Sequence, residues 1–127
     1  MKTIFVDAYN TFILEDGTIN NEMHKMLEEF SNTKIIMTNA NDEEIIKFGL
    51  DKVPYEVFTL KHNPDKVDPK FYETALKHFN LDAKDIIYFE HNAEAVKSAQ
   101  SVGINVFHYD KDTKNIDGVK NFISENI

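Results

Sequence analysis

Five short apolar runs, separated by stretches of helical periodicity, constrain this chain more than any other feature of it. Lys2 to Asp7 reads KTIFVD, Lys34 to Thr38 reads KIIMT, Glu56 to Leu60 reads EVFTL, Asp85 to Phe89 reads DIIYF, and Ile104 to Phe107 reads INVF. Runs this apolar and this short suit strands buried on both faces, and strand and helix in alternation predict a parallel sheet. The intervening segments carry helix signals. Asn20 or Asn21 can cap a helix bearing Met23, Met26, Leu27 and Phe30, and Asn41 can cap one running through Ile45, Ile46 and Phe48 to Gly49. Asp68-Pro69 opens a third helix with Phe71, Tyr72, Ala75, Leu76 and Phe79 on one face. Asn92 to Val102 is a fourth helix ending at Gly103, and Val119 to Ile123 a short last one. Phe12 to Leu14, followed by Glu15-Asp16-Gly17, predicts a short extended piece and a tight turn.

With 127 residues and no repeat, linker or low-complexity tract, residues 1–127 are expected to form a single domain of about five parallel strands. A formal charge of -8 argues against a broad nucleic-acid surface, and no run approaches the length of a membrane-spanning helix. No targeting segment is evident, so the expectation is a cytoplasmic protein with neither nucleic-acid nor membrane partners. There is no Cys, which removes thiolate chemistry and disulfides. All 14 basic residues are Lys. Without arginine no planar fork can grip an anion, so Lys, backbone N–H groups and hydroxyls must do that work.

In open α/β sheets ligands bind at the carboxyl ends of the strands, near the switch in strand order. Polar residues gather at those ends: Asp7 after the first strand, Thr38 and Asn39 after the second, Glu90, His91 and Asn92 after the fourth. Lys66 sits in a loop before a helix. An aspartate among hydroxyl, amide and lysine groups is a candidate nucleophile. Taken singly, each of these residues is better read as a helix cap or a partner for loop amides.

Their order changes that. Asp7-x-x-x-Thr11, an apolar strand to Thr38-Asn39, Lys66-x-Asp68-Pro69-x-x-Tyr72 and an apolar strand to Glu90-His91-Asn92 together resemble the haloacid dehalogenase (HAD) superfamily, over Lys2 to about Phe107. The resemblance implies a three-layer Rossmann-like domain. It also implies that Asp7 is a covalent nucleophile toward carbon or phosphorus, that Thr38 and Asn39 bind the transferred group, and that Lys66 neutralises charge. By the same likeness Thr11 and Asn92 contribute to substrate binding. Magnesium would be held by Asp7, the backbone carbonyl of Tyr9 and Glu90.

Several positions depart from the family pattern. Phosphatases of this family place a second Asp two residues after the nucleophile, as the acid for the leaving group; here Tyr9 stands there, and a phenol is a poor substitute. His91 stands where the main metal-binding Asp is expected, and imidazole suits magnesium badly. Asp7-Ala8-Tyr9-Asn10-Thr11 looks most like the metal-independent 2-haloacid dehalogenases, as do Tyr72 and Asn92. Those enzymes bind the substrate carboxylate with an arginine, carry a helical cap between the first two motifs, and have a hydroxyl and an acid where Glu90 and Ala95 stand here. Only 26 residues separate Thr11 from Thr38, room for a turn and one helix, so a capless member is expected. An open site calls for a large substrate, such as a protein-borne phosphate, or for a homo-oligomer or protein partner that covers it.

Three functions follow: a phosphate-ester hydrolase using Asp7; a pseudoenzyme whose scaffold binds or regulates; and, third, a metal-independent hydrolase in which Glu90 positions water. Tyr72 reads as core, because Phe71, Ala75 and Phe79 share its pattern. His24, His62, His78 and His108 are scattered, without metal-ligand spacing. The acid clusters at Glu28-Glu29 and Asp42-Glu43-Glu44 read as a solvent face and a first helical turn.

Overall fold

The computed structural model describes all 127 residues. Five parallel strands form one sheet in the order β3-β2-β1-β4-β5, with β1 Thr3–Asp7, β2 Lys34–Thr38, β3 Glu56–Thr59, β4 Ile86–Glu90 and β5 Asn105–His108. The order reverses between β1 and β4. Chain growth leaves β1 toward β2 and β3 on one side and resumes from β4 to β5 on the other, so a crevice opens at the carboxyl ends of the two central strands.

Five helices cover the sheet: α1 Asn21–Leu27, α2 Asp42–Lys47, α3 Pro69–Phe79, α4 Ala93–Ser101 and α5 Ile116–Asn126. The side-chain period of two divides the core into two layers. Ile4, Val6, Ile36, Ile87 and Phe89 point to one face and pack with Met23, Met26 and Leu27 of α1 and Val119 and Ile123 of α5. Phe5, Ile35, Met37, Ile86 and Tyr88 point to the other and meet Phe71, Tyr72 and Ala75 of α3 and Ala99 of α4. Every residue of β1, β2 and β4 is buried, as helices on both faces require.

The sequence signals set most boundaries within one or two residues, and the exceptions have physical causes. Strand β4 continues through Glu90, beyond the apolar run, because Lys66 and Tyr88 compensate the carboxylate inside the sheet. Helix α5 is longer than the expected Val119 to Ile123, since Asn115 caps it by accepting from Gly118 N–H. Helix α2 buries none of its residues, and Ile46 is 67% exposed. Its capping box between Asn41 and Glu44 and the turn at Gly49 fix its ends, while Ile45 and Phe48 pack, partly buried, against the core. Phe30 lies past the end of α1 and packs from the loop.

Between β1 and α1 the chain makes a small flap in which Ile13 bridges Tyr9 and Ile19. That flap and α1 are all that lies between the first two strands, so no cap is inserted there. No helix is long and apolar enough to cross a membrane.

Candidate active site

The parallel register of β1 and β4 pairs Val6 with Phe89, which sets Asp7 beside Glu90 at the carboxyl edge of the crevice. By strand alternation both carboxylates share the face of Phe5 and Tyr88, the face on which α3 packs. The loop entering α3 delivers Lys66 to them. Asn39, at the end of β2, accepts from Lys66 N–H at 2.7 Å and so fixes that loop against the sheet. From there Lys66 Nζ donates to Asp7 Oδ1 at 2.7 Å, to Glu90 Oε1 at 2.7 Å and to the Met37 carbonyl at 3.2 Å. All three ammonium donors are used, and the side chain is 8% exposed.

The other oxygen of Asp7 is held by the flap and by the turn after β4. Thr11 Oγ1 donates to Asp7 Oδ2 at 2.7 Å, His91 N–H donates to the same oxygen at 3.3 Å, and the His91 ring Nδ1 sits against it as well. Glu90 is fixed with equal care. Its Oε1 accepts from Tyr88 OH at 2.6 Å, its Oε2 accepts from Asn92 N–H at 3.0 Å, and Tyr72 OH lies 3.1 Å from Tyr88 OH.

This packing of charge moves the titrations apart. Burial pushes the Asp7 carboxyl up, but Lys66 and the His91 bond outweigh it and hold Asp7 well below the usual carboxylate range. Burial and then the Asp7 charge push Glu90 up to about 7, against the pull of Lys66. Burial alone would lower Lys66, yet the two carboxylates raise it, so it stays charged. His91 is also raised: its burial is overcome by the bond to Asp7.

A pocket of about 240 Å³ opens over this cluster. Asp7, Thr38, Asn39, Lys66, Glu90 and His91 all reach it. Thr38 Oγ1 accepts from Ala40 N–H and keeps its own O–H to donate, and Asn39 has only its amide N–H groups left to offer. Tyr9 forms a wall with Phe48, ring centroids 4.8 Å apart.

Of two residues expected at the substrate, Asn92 lines the pocket and Thr11 does not. Thr11 is fully buried behind Asp7 and spends its hydroxyl there, so it orients the carboxylate. Asn92 reaches the pocket but caps α4, its Oδ1 accepting from Glu94 and Ala95 N–H. Tyr72 is a buried core residue whose hydroxyl faces Tyr88. His91, which stands where the family resemblance expects a metal-binding Asp, is brought onto Asp7, a contact 84 residues apart in sequence that no local signal could reveal.

For magnesium the donor set fits poorly. The ion takes about six hard oxygens in near-octahedral array, whereas Asp7 Oδ2 and Glu90 Oε1 each already accept two or more bonds from the chain, the Lys66 ammonium sits on Asp7 Oδ1, and His91 presents nitrogen. No buried side-chain nitrogen or oxygen lacks a hydrogen-bond partner.

No family model and no curated protein matches the sequence. Solved structures do match. A HAD-superfamily hydrolase from Ehrlichia chaffeensis is 15% identical with a TM-score of 0.68, over 98% of either chain. A Thermotoga maritima protein assigned as a beta-phosphoglucomutase is 13% identical with a TM-score of 0.71, over the whole of both chains. The D,D-heptose 1,7-bisphosphate phosphatase of B. bronchiseptica, solved with magnesium and phosphate, is 14% identical with a TM-score of 0.65, over 85% of this chain and 80% of that one. The three-layer sheet with its aspartate at the switch point is therefore a HAD-type fold. Its structural neighbours include HAD hydrolases and phosphatases.

Proposed function

We propose that this chain is a HAD-type hydrolase in which Asp7 attacks the phosphorus of a phosphate ester. The observation that carries the reading is the bridge of Lys66 between Asp7 and Glu90 at the floor of the strand-end pocket. Oδ2 of Asp7 accepts from three donors while Oδ1 accepts from Lys66 alone, so Oδ1 is the oxygen with a lone pair to spare. In the first step the Oδ1–P bond forms and the bond from phosphorus to the leaving oxygen breaks. Thr38 O–H, Asn39 amide N–H and Lys66 stabilise the transferred group, and water then cleaves the aspartyl phosphate.

In this reading Tyr9, which lines the pocket, gives the leaving oxygen a proton. With no carboxylic acid there, aryl and acyl phosphates, whose leaving groups depart as stable anions, are the favoured substrates. The open pocket suits a substrate or a partner protein large enough to cover it.

Turnover of an aryl phosphate and a phosphometabolite panel by the wild type is expected to fall at least about 1,000-fold in Asp7→Asn, with the far-UV circular dichroism unchanged. Equal rates in the two proteins would sink the proposal. A second reading is favoured by the saturated charge of Lys66 and by Tyr9 in the acid position: a binding scaffold that turns nothing over. It predicts phosphate binding by titration without hydrolysis in either protein.

A further inference from the structure

The two carboxylates that a divalent cation would need are already surrounded by the chain's own donors. Lys66 Nζ lies 2.7 Å from an oxygen of each. Their other oxygens take the Thr11 hydroxyl, the backbone N–H groups of His91 and Asn92, and the His91 ring, which contacts Asp7 directly and lies 3.4 Å from Glu90 Oε2. One ligand atom each from Asp7, Glu90 and His91 falls within 4.8 Å of the others, so they converge as metal ligands do. The ring nitrogen, however, faces a carboxylate oxygen that a shared metal would have to separate from it. Lys66 sits on the other side, and both residues are anchored through their backbones, His91 by its N–H to Asp7 and Lys66 by its N–H to Asn39.

We propose that His91 and Lys66 together occupy the place of a divalent cation, so that the site works without one and does not take up magnesium. His91 acts here as a positioning residue on Asp7. The inference concerns the pocket read above as hydrolytic, yet it is tested by binding and does not depend on turnover, so a protein inactive on every ester still decides it.

The test is thermal unfolding and isothermal titration of the full chain with magnesium, manganese and zinc chlorides, against sodium chloride at matched ionic strength. The wild type is expected to show no saturable heat and no rise in Tm beyond the salt control up to roughly 10 mM magnesium. His91→Asp removes the ring and restores a hard oxygen. It is expected to gain a saturable site, raising Tm by about 3–8 °C at roughly 10 mM if the dissociation constant is near 1 mM. Saturable binding of any of the three metals by the wild type overturns the proposal, and so does a folded His91→Asp that binds none. If His91→Asp does not fold, His91→Ala takes its place: gain of manganese binding, read by paramagnetic broadening of resonances near Asp7, supports the proposal, and its absence overturns it.

Discussion

Three titratable side chains from two separate segments, Lys66 from the loop before α3 and Glu90 with His91 from the end of β4, meet at Asp7, and their order of protonation follows from which is buried against which. Glu90 has an ordinary value of 4.5 and is pushed up to about 7 in the folded protein, so the folded state binds this proton more tightly than the unfolded chain. Its contribution to stability is present below about 4.5 and is lost as pH rises through about 7. A shift of that size corresponds to about 3 kcal/mol. Asp7 has the opposite sign, because its carboxyl is held below its ordinary 3.8, and its contribution is lost only in stronger acid. His91, raised above 6.5, adds to the decline at higher pH. Urea midpoints of the wild type should therefore fall between pH 5 and pH 8, whereas Glu90→Gln should lose most of that slope. Matching slopes in the two proteins would show that Glu90 does not carry the proton. The residues themselves were legible in sequence, since Asp7, Lys66 and Glu90 stand at strand ends and before a helix. What His91 and Thr11 do was not, because both depend on which oxygen of Asp7 they meet.

Among the elements, the central strands β1, β2 and β4 were read best, because burial on both faces leaves an uninterrupted apolar run, whereas the edge strands β3 and β5 are only partly buried. Helices α1, α3 and α4 were found by cap and period together. In helix α2, Ile45 and Phe48 pack against the core while Ile46 is exposed, and the capping box fixes the start of the helix. Its exit at Gly49 adopts φ of +68°, and a Cβ built there would stand 2.9 Å from the Gly17 carbonyl, itself in the turn before α1. Gly49→Ala should thus cost at least about 1–2 kcal/mol by chemical denaturation, from left-handed strain and the backbone clash together. A loss below about 0.5 kcal/mol would mean that the two turns are not packed as described.

At the scale of the molecule, one sheet serves both layers, so neither layer can melt alone. Ile87 lies in β4, fully buried in the layer of α1 and α5, next to the strand that carries Asp7. Ile87→Ala should destabilise by about 2–5 kcal/mol, and far-UV circular dichroism and tyrosine fluorescence should still report a single coincident transition. Separate transitions would show that the layers unfold independently. From the sequence alone came the five strands, their parallel sense, the absence of a cap between the first two strands and the aspartate at a strand end, because all of these rest on local periodicity, spacing and residue type. The sequence could not decide how the two carboxylates, the lysine and the histidine meet. That is set by the register of β1 against β4 and by the loop into α3, which bring segments up to 84 residues apart into one charge cluster. Whether a cation fits such a cluster depends on the free lone pairs left after every donor is placed, and only the tertiary structure counts those.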